Sequence, residues 1–387
     1  MRMLEQVRDS RHRDFFITLP LIAFFSALMY LSFDTSITGN TGDFISAGGM
    51  VAPFVILALL AYLGVDHPRV RYIATLWLLG LLFCLVAITF MITLAPVAAL
   101  SPESDALDTF IESLPAATIG TALLASLGAG LIALIGFSRW FRGHLARVLP
   151  FDPDSPIHTV GLICVLAFIV MPLVPLLVNG NAPFLNADLQ VLLGIGTEEP
   201  GSSVRLDTFT LIWTIIGSFF LVGLWIRRNL KNTLGRLGLV RPTVQQVILG
   251  IATGVLLVAI FWVFDNLLTD LFVDFGITIT DETLVNNLFI ASFTPLAAVV
   301  ASISAGLGEE LAVRGVIQPR FGIILSALVF ASLHAYQYAW DGVIGVLLIG
   351  ICFGVLRKYT NTTTSAISHG MYDLILFALV MAGITGI

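Results

Sequence analysis

Apolar residues along the chain fall into long unbroken blocks; there is no strict alternation and no narrow helical stripe. Runs of about twenty residues, nearly free of charge, lie near 15–33, 45–65, 72–95, 116–137, 158–178, 208–226, 244–265, 289–318, 321–340, 342–357 and 362–385. A helix of that length crosses the hydrocarbon core of a bilayer and satisfies its own backbone hydrogen bonds there. The ten-residue alternating segments of a membrane barrel are missing. The pattern predicts an all-α, polytopic helical membrane protein with about eleven transmembrane helices. The first block has a basic flank (Arg2, Arg8, Arg11, Arg13), as a signal peptide would, but no small-x-small cleavage site precedes Asp34. It reads as an uncleaved first helix.

Composition agrees with this. Of 387 residues, 57% are hydrophobic and 11% charged, whereas a soluble chain of this length carries about a quarter charged residues. A soluble enzyme is excluded. The three cysteines (Cys84, Cys164, Cys352) sit singly in apolar runs, so they form no disulfide framework. The net charge of −6 argues against a nucleic-acid partner.

The distribution of charge says more than its sum. Lys and Arg sort by alternate loop: 18 of 19 fall at the N-terminus, 66–71, 138–157, 227–243 and the turns holding Arg314, Arg320, Arg357 and Lys358, with only Arg205 opposite. The positive-inside rule then puts the N-terminus in the cytoplasm and, with an odd number of crossings, the C-terminus outside, in a multi-pass protein of the cell membrane. Asp34, Asp43, Glu103, Asp105, Asp108, Glu112, Glu198, Glu199, Asp270, Asp274, Asp281 and Glu282 fall on the other side. The segment 227–243 combines charge with apolar residues and reads as a basic amphipathic connector lying on anionic lipid. It divides a six-helix bundle (1–226) from a five-helix bundle (244–387).

A charge inside a span is costly and is a functional hypothesis by default. The N-terminal bundle has essentially none. The C-terminal bundle carries Glu309, Glu310 and Arg314 in one span, His334 in the next, and His369 and Asp373 in the last. His12, His67, His144 and His158 lie in loops or at span edges and read as surface residues. Counted from the nearest basic residue at 1.5 Å per helical residue, Glu309 and His369 lie roughly 16 Å deep and His334 about 20 Å less the turn. Three helices thus bring ionisable groups to one depth. Tyr336, Tyr338 and Trp340 then fall at the outer interface. At 100° per residue Glu310 shares a face with Arg314, which predicts a structural ion pair and leaves Glu309 free for chemistry. Phe330 and His334 also share a face, as do His369 and Asp373. Gly250/Gly254 and Gly350/Gly354 are small-xxx-small packing surfaces.

Several chemistries are absent. No HExxH occurs for a two-histidine zinc helix, no Gly-x-Ser-x-Gly elbow is present, and Tyr372-Asp373 lacks the GxGD partner of an aspartyl protease. What remains is Glu-Glu-x-x-x-Arg, Phe-x-x-x-His and His-x-x-x-Asp, in that order. This resembles the CPBP family, the CAAX proteases and bacteriocin-processing enzymes, also called the Abi family of intramembrane endopeptidases, over roughly 244–387. Asp373 stands where the CAAX-cleaving branch usually has Asn.

The resemblance implies that Glu309 and His334 activate a water for attack on a peptide bond, and that His369 and Asp373 stabilise the oxyanion or position the substrate. Glu310, Arg314 and Phe330 would support them. A metal is left open: His334, His369 and Glu309 or Asp373 supply enough ligands for one zinc. The implied partners are a membrane-associated protein or peptide substrate and the lipid bilayer. The alternative on the same fold is a non-enzymatic membrane protein, either an ion-coupled transporter or an immunity or scaffold protein. For the N-terminal bundle the sequence leaves open recruitment of a partner, homo-oligomer formation and enlargement of the cavity wall.

Overall fold

The computed structural model describes residues 2–99 and 115–384, with side chains from 15–97 and 115–384. The side chains of Arg2, Arg8, Arg11, His12 and Arg13, and the acids Glu103, Asp105, Asp108 and Glu112, lie outside the described residues. Among the described residues there is no β-strand, only one isolated bridge between Leu224 and Arg228. Nine helices among the described residues are long and apolar enough to cross a membrane: Gly39–Asp66, Pro68–Val97, Ala116–Phe137, Pro156–Leu185, Ser203–Leu221, Val244–Asp274, Pro295–Tyr336, Trp340–Tyr359 and Thr362–Met381. Phe15–Leu31 is a shorter apolar helix. The chain is a multi-pass, helical membrane protein.

The eighth and ninth spans of the sequence both fall within Pro295–Tyr336, which is 42 residues long. The helix breaks there at Gly322, with φ 74° and ψ 178°. Only glycine enters that region without steric cost, so the residue ends one span and starts the next. Beyond it the α-helix stops at Leu333, and His334–Tyr336 forms a 3-10 turn. His334 therefore sits at a helix end, where the sequence reading had a continuous helix to 340.

The loops collect at two ends of the bundle. At one end Arg227 pairs with Asp66, Arg320 donates to the Pro150 carbonyl, and Arg236 donates to the carbonyls of Gly315 and Val316. At the other, Arg205 pairs with Asp43 at 2.6 Å, Thr280 holds Asp341, and the Gly201 amide donates to the Ala291 carbonyl. The one basic residue on the acidic side is thus neutralised locally. Arg314, counted from the sequence among the basic residues at the loops, is instead fully buried.

The connector carries a short helix, Leu230–Leu237, capped by Asn229 and ended by Gly238 in the left-handed region. Its apolar side packs on the protein. Leu237 packs with Val222 and Leu311, Thr233 is buried, and the Leu237 carbonyl accepts from the Thr362 hydroxyl. Two turns of helix leave too little apolar surface to bind both a bilayer and the bundle, and Leu237 goes to the bundle; Leu230 stays exposed.

Aromatic packing organises the N-terminal half. Trp213 of Ser203–Leu221 is buried among Phe25, Phe44 and Phe209, and its indole N–H donates to the Phe44 carbonyl at 2.8 Å. The C-terminal half uses small residues to bring backbones together. A Cβ on Gly254 would lie 2.6 Å from the Ser368 carbonyl oxygen, and one on Gly306 would lie 2.6 Å from the Gly370 nitrogen. These contacts hold Thr362–Met381 against Val244–Asp274 on one side and against the segment leading to Glu309 on the other. Gly306→Ala should destabilise the protein by about 1–3 kcal/mol, because backbone atoms must separate. Gly80→Ala, with open space around it, should not lower the unfolding midpoint. Thermal unfolding of the two variants in detergent checks this.

Candidate active site

Four features place the ionisable residues. Beyond Pro295–Ile303 the helix continues as π-helix, over Ser304–Glu309 and again over Leu311–Ile317. In such turns each amide reaches back five residues, a winding frequent at functional sites. Gly306 on this segment and Gly370 on Thr362–Met381 let the two backbones approach, which sets Glu310 beside His369. The Leu333 terminus presents His334 from a third direction.

Glu310 and Arg314 are both 0% exposed, and Arg314 Nε stands 3.6 Å from Glu310 Oε2. The same oxygen accepts from the Ser365 hydroxyl at 2.5 Å, and Oε1 lies 3.4 Å from His369 Nδ1. Arg314 also donates to the Gly350 carbonyl at 3.0 Å and stacks over Phe330, 4.7 Å from the ring centroid. Gly350 and Gly354 make room for this. Without side chains there, the carbonyls of Gly350 and Gly354 are reached by Arg314 and Gln318. Phe330 lies between Arg314, His334 and His369, and Phe353 stacks on the His369 ring at 4.8 Å.

Glu309 points elsewhere. It lines a cavity of about 580 Å³, together with His334, His369 and Asp373. Glu310 and Arg314 do not line it. His334 Nδ1 lies 2.8 Å from the Phe330 carbonyl. A carbonyl can only accept, so Nδ1 carries the proton and Nε2 keeps its lone pair. His369 Nε2 lies 3.4 Å from Asp373 Oδ2. The His369 ring is therefore held between two carboxylates, Glu310 on one side and Asp373 on the other.

That clamp bears on zinc. Among the described residues, no three His, Cys, Asp or Glu side chains gather as ligands of a metal ion. Each ring nitrogen of His369 faces a carboxylate oxygen at 3.4 Å. His334, His369 and Glu309 share a cavity without forming the tight three-ligand set that zinc needs, so the residues present do not fit a zinc site.

Three cavity residues come from the N-terminal bundle, to which the sequence assigned no chemistry: Asp207, Thr210 and Thr214, on Ser203–Leu221. Asp207 was missed because the apolar run starts at 208, which left it on the loop side of the boundary. In the structure it is helical, Ser304 donates to its carbonyl at 3.0 Å, and its Oδ2 has no hydrogen-bond partner. Tyr338 was assigned to the outer interface; it instead lines the cavity and stacks on His334, 6.1 Å between centroids. The sequence signal for Ser365 was weak, a small polar residue one helical turn before His369.

Against known proteins, residues 291–375 match the family model for type II CAAX prenyl endopeptidase Rce1-like. No curated protein and no solved structure matches the chain. The matched segment holds all three motifs and is similar to the Rce1-like part of the CPBP family, a family of intramembrane proteases. The match leaves Val244–Asp274 and the whole N-terminal bundle outside it.

Arg314→Ala would leave Glu310 buried without its cation and should cost about 3–5 kcal/mol of stability. Glu309→Gln, at the cavity wall, should change stability by less than about 1 kcal/mol. Unfolding of both variants in detergent, followed by tryptophan fluorescence, separates the buried pair from the cavity carboxylate.

Proposed function

We propose that the chain is an intramembrane endopeptidase in which Glu309 acts on a water molecule held with His334. The observation that carries this reading is the separation of two adjacent carboxylates: Glu310 is engaged by Arg314, Ser365 and His369, whereas Glu309 faces a cavity shared with His334, His369 and Asp373. Glu309 takes a proton from the water, His334 Nε2 accepts a hydrogen bond from it, and the hydroxide adds to the carbonyl carbon of the scissile peptide. The tetrahedral oxyanion is met by the His369 N–H that otherwise points to Asp373. As the C–N bond breaks, Glu309 returns the proton to the leaving nitrogen. Asp373 serves as the orienting partner of His369. It is not the oxyanion donor, because an ionised carboxylate can only accept.

The carboxylates facing His369, and the lack of a gathered three-ligand set among the described residues, favour a metal-independent reaction. The substrate class is a membrane-associated protein or peptide, since the cavity is walled by apolar spans and Phe289, Phe293 and Phe377. Asp207, with its free oxygen, would position a polar or cationic group of that substrate.

Glu309→Gln and His334→Ala should each reduce cleavage by about 10²-fold or more in folded, membrane-inserted protein. Asp207→Asn should raise KM more than it lowers kcat. Comparative proteomics of membranes carrying wild-type or Glu309→Gln protein identifies the cleaved peptide; equal cleavage by both would sink the mechanism. Metal analysis of the purified wild type should find substoichiometric zinc, with cleavage persisting after chelator treatment. Stoichiometric zinc that is lost in Glu309→Gln would replace this reading with a metalloprotease.

A further inference from the structure

A second cavity, of about 570 Å³, lies at the arginine-rich end of the bundle and shares no residue with the first. Arg227, Arg228, Arg236 and Arg320 line it, with His158 and Tyr62. They come from four separate places: the end of Gly39–Asp66, the start of Pro156–Val170, the connector, and the turn that follows the Glu309 segment.

The pairing in this cavity is incomplete. Arg227 is matched by Asp66 at 2.7 Å. Arg228, Arg236 and Arg320 have no carboxylate partner among the described residues and reach backbone carbonyls, Val222 for Arg228, Gly315 and Val316 for Arg236, and Pro150 for Arg320, with the Tyr62 hydroxyl also beside Arg228. Two carboxylates also line the cavity. Asp154 is taken by Arg139 at 2.8 Å, and Asp152 Oδ1 accepts from the Asp154 amide. Three guanidinium groups therefore stand against the single carboxylate of Asp152 that has no cation partner. Burial, then the nearby Arg320 and Arg228, push the Arg236 guanidinium down to about 10, still charged near neutral pH.

Further donors point the same way. His158 Nδ1 accepts from the Asp152 amide at 2.9 Å, so the proton of the neutral ring is on Nε2. Ser155, Pro156 and Ile157, the first turn of the fifteen-residue Pro156–Val170 helix, lie on the cavity wall, and the positive end of the helix dipole adds to the field. The positive-inside bias accounts for arginines at this end. It does not account for three of them gathered around one cavity without a carboxylate partner. A carboxylate ligand has too few oxygens for so many donors, whereas a phosphate group accepts from several guanidinium forks at once.

We infer that this cavity binds a phosphate-bearing anion, either the phosphate of an anionic phospholipid headgroup or a free phosphate compound. Arg236 holds the carbonyls of Gly315 and Val316, which follow Arg314 on the same π-helical segment, so the bound anion sits against the end of the segment that carries Glu309.

The test uses full-length protein in neutral detergent. In one arm, inorganic phosphate and pyrophosphate are titrated calorimetrically; in the other, phosphatidylglycerol and phosphatidylcholine are compared by native mass spectrometry. Retention of phosphatidylglycerol over phosphatidylcholine without phosphate binding identifies a headgroup site. Binding of phosphate or pyrophosphate identifies a soluble ligand. In either case Arg320→Gln should weaken binding about tenfold, the loss of one charge-assisted contact, and Arg228→Gln/Arg320→Gln should weaken it further. Arg205→Gln, at the opposite end, should leave it unchanged. Arg320 has one long contact at 3.3 Å, so its single variant keeps the test valid if the double variant does not fold. Absence of binding in both arms, or binding unchanged in folded Arg320→Gln, overturns the inference.

Discussion

The buried carboxylate of Glu310 is the constraint on which the C-terminal half depends. In an interior without water, an unpaired charge is far more costly than a paired one, so Glu310 has to be surrounded. Arg314 supplies the cation, Ser365 a hydroxyl and His369 a ring nitrogen, and Arg314 is fixed in turn by the Gly350 carbonyl. Satisfying this one group ties the π-helical segment to Trp340–Tyr359 and Thr362–Met381. The neighbouring residue, Glu309, is thereby turned toward the cavity. A buried acid sets the direction of its neighbour by being next to it in sequence.

The same network explains why the motif-three histidine does not look like a metal ligand. Its two ring nitrogens each face a carboxylate oxygen, of Glu310 and of Asp373, at 3.4 Å, and Phe353 covers a face of its ring. His334 differs: one nitrogen is fixed by a backbone carbonyl, and the other is left with a lone pair. Two histidines facing one cavity are thus prepared for different work, one to accept a hydrogen bond and one to donate. The difference lies in their partners.

The cavity is not the property of the C-terminal half alone. Ser203–Leu221 contributes Asp207, Thr210 and Thr214, and Trp213 on the same helix anchors it in the aromatic core of the N-terminal bundle. The N-terminal bundle, outside the family match, therefore supplies part of the site's wall through this one helix. At the other cavity, the connector joins the two halves through Arg236 and Leu237.

Much of this was legible in the sequence because a membrane leaves few options. Runs of about twenty apolar residues must be helices, and the rarity of charge within them made Glu309, Glu310, Arg314, His334, His369 and Asp373 stand out. The helical spacing that paired Glu310 with Arg314 is a local property, and motif order on successive spans carried the family resemblance. Other features rest on where helices meet, which spacing does not encode: the end of the helix at Leu333, the inward turn of Tyr338, the docking of Leu237 on the bundle, and the arrival of Asp207 at the cavity. The sequence by itself determined the class of protein and which residues bear the charge. Only the tertiary structure decided which of those charges neutralise one another and which are left facing a cavity, because pairing depends on distances between helices far apart in the chain.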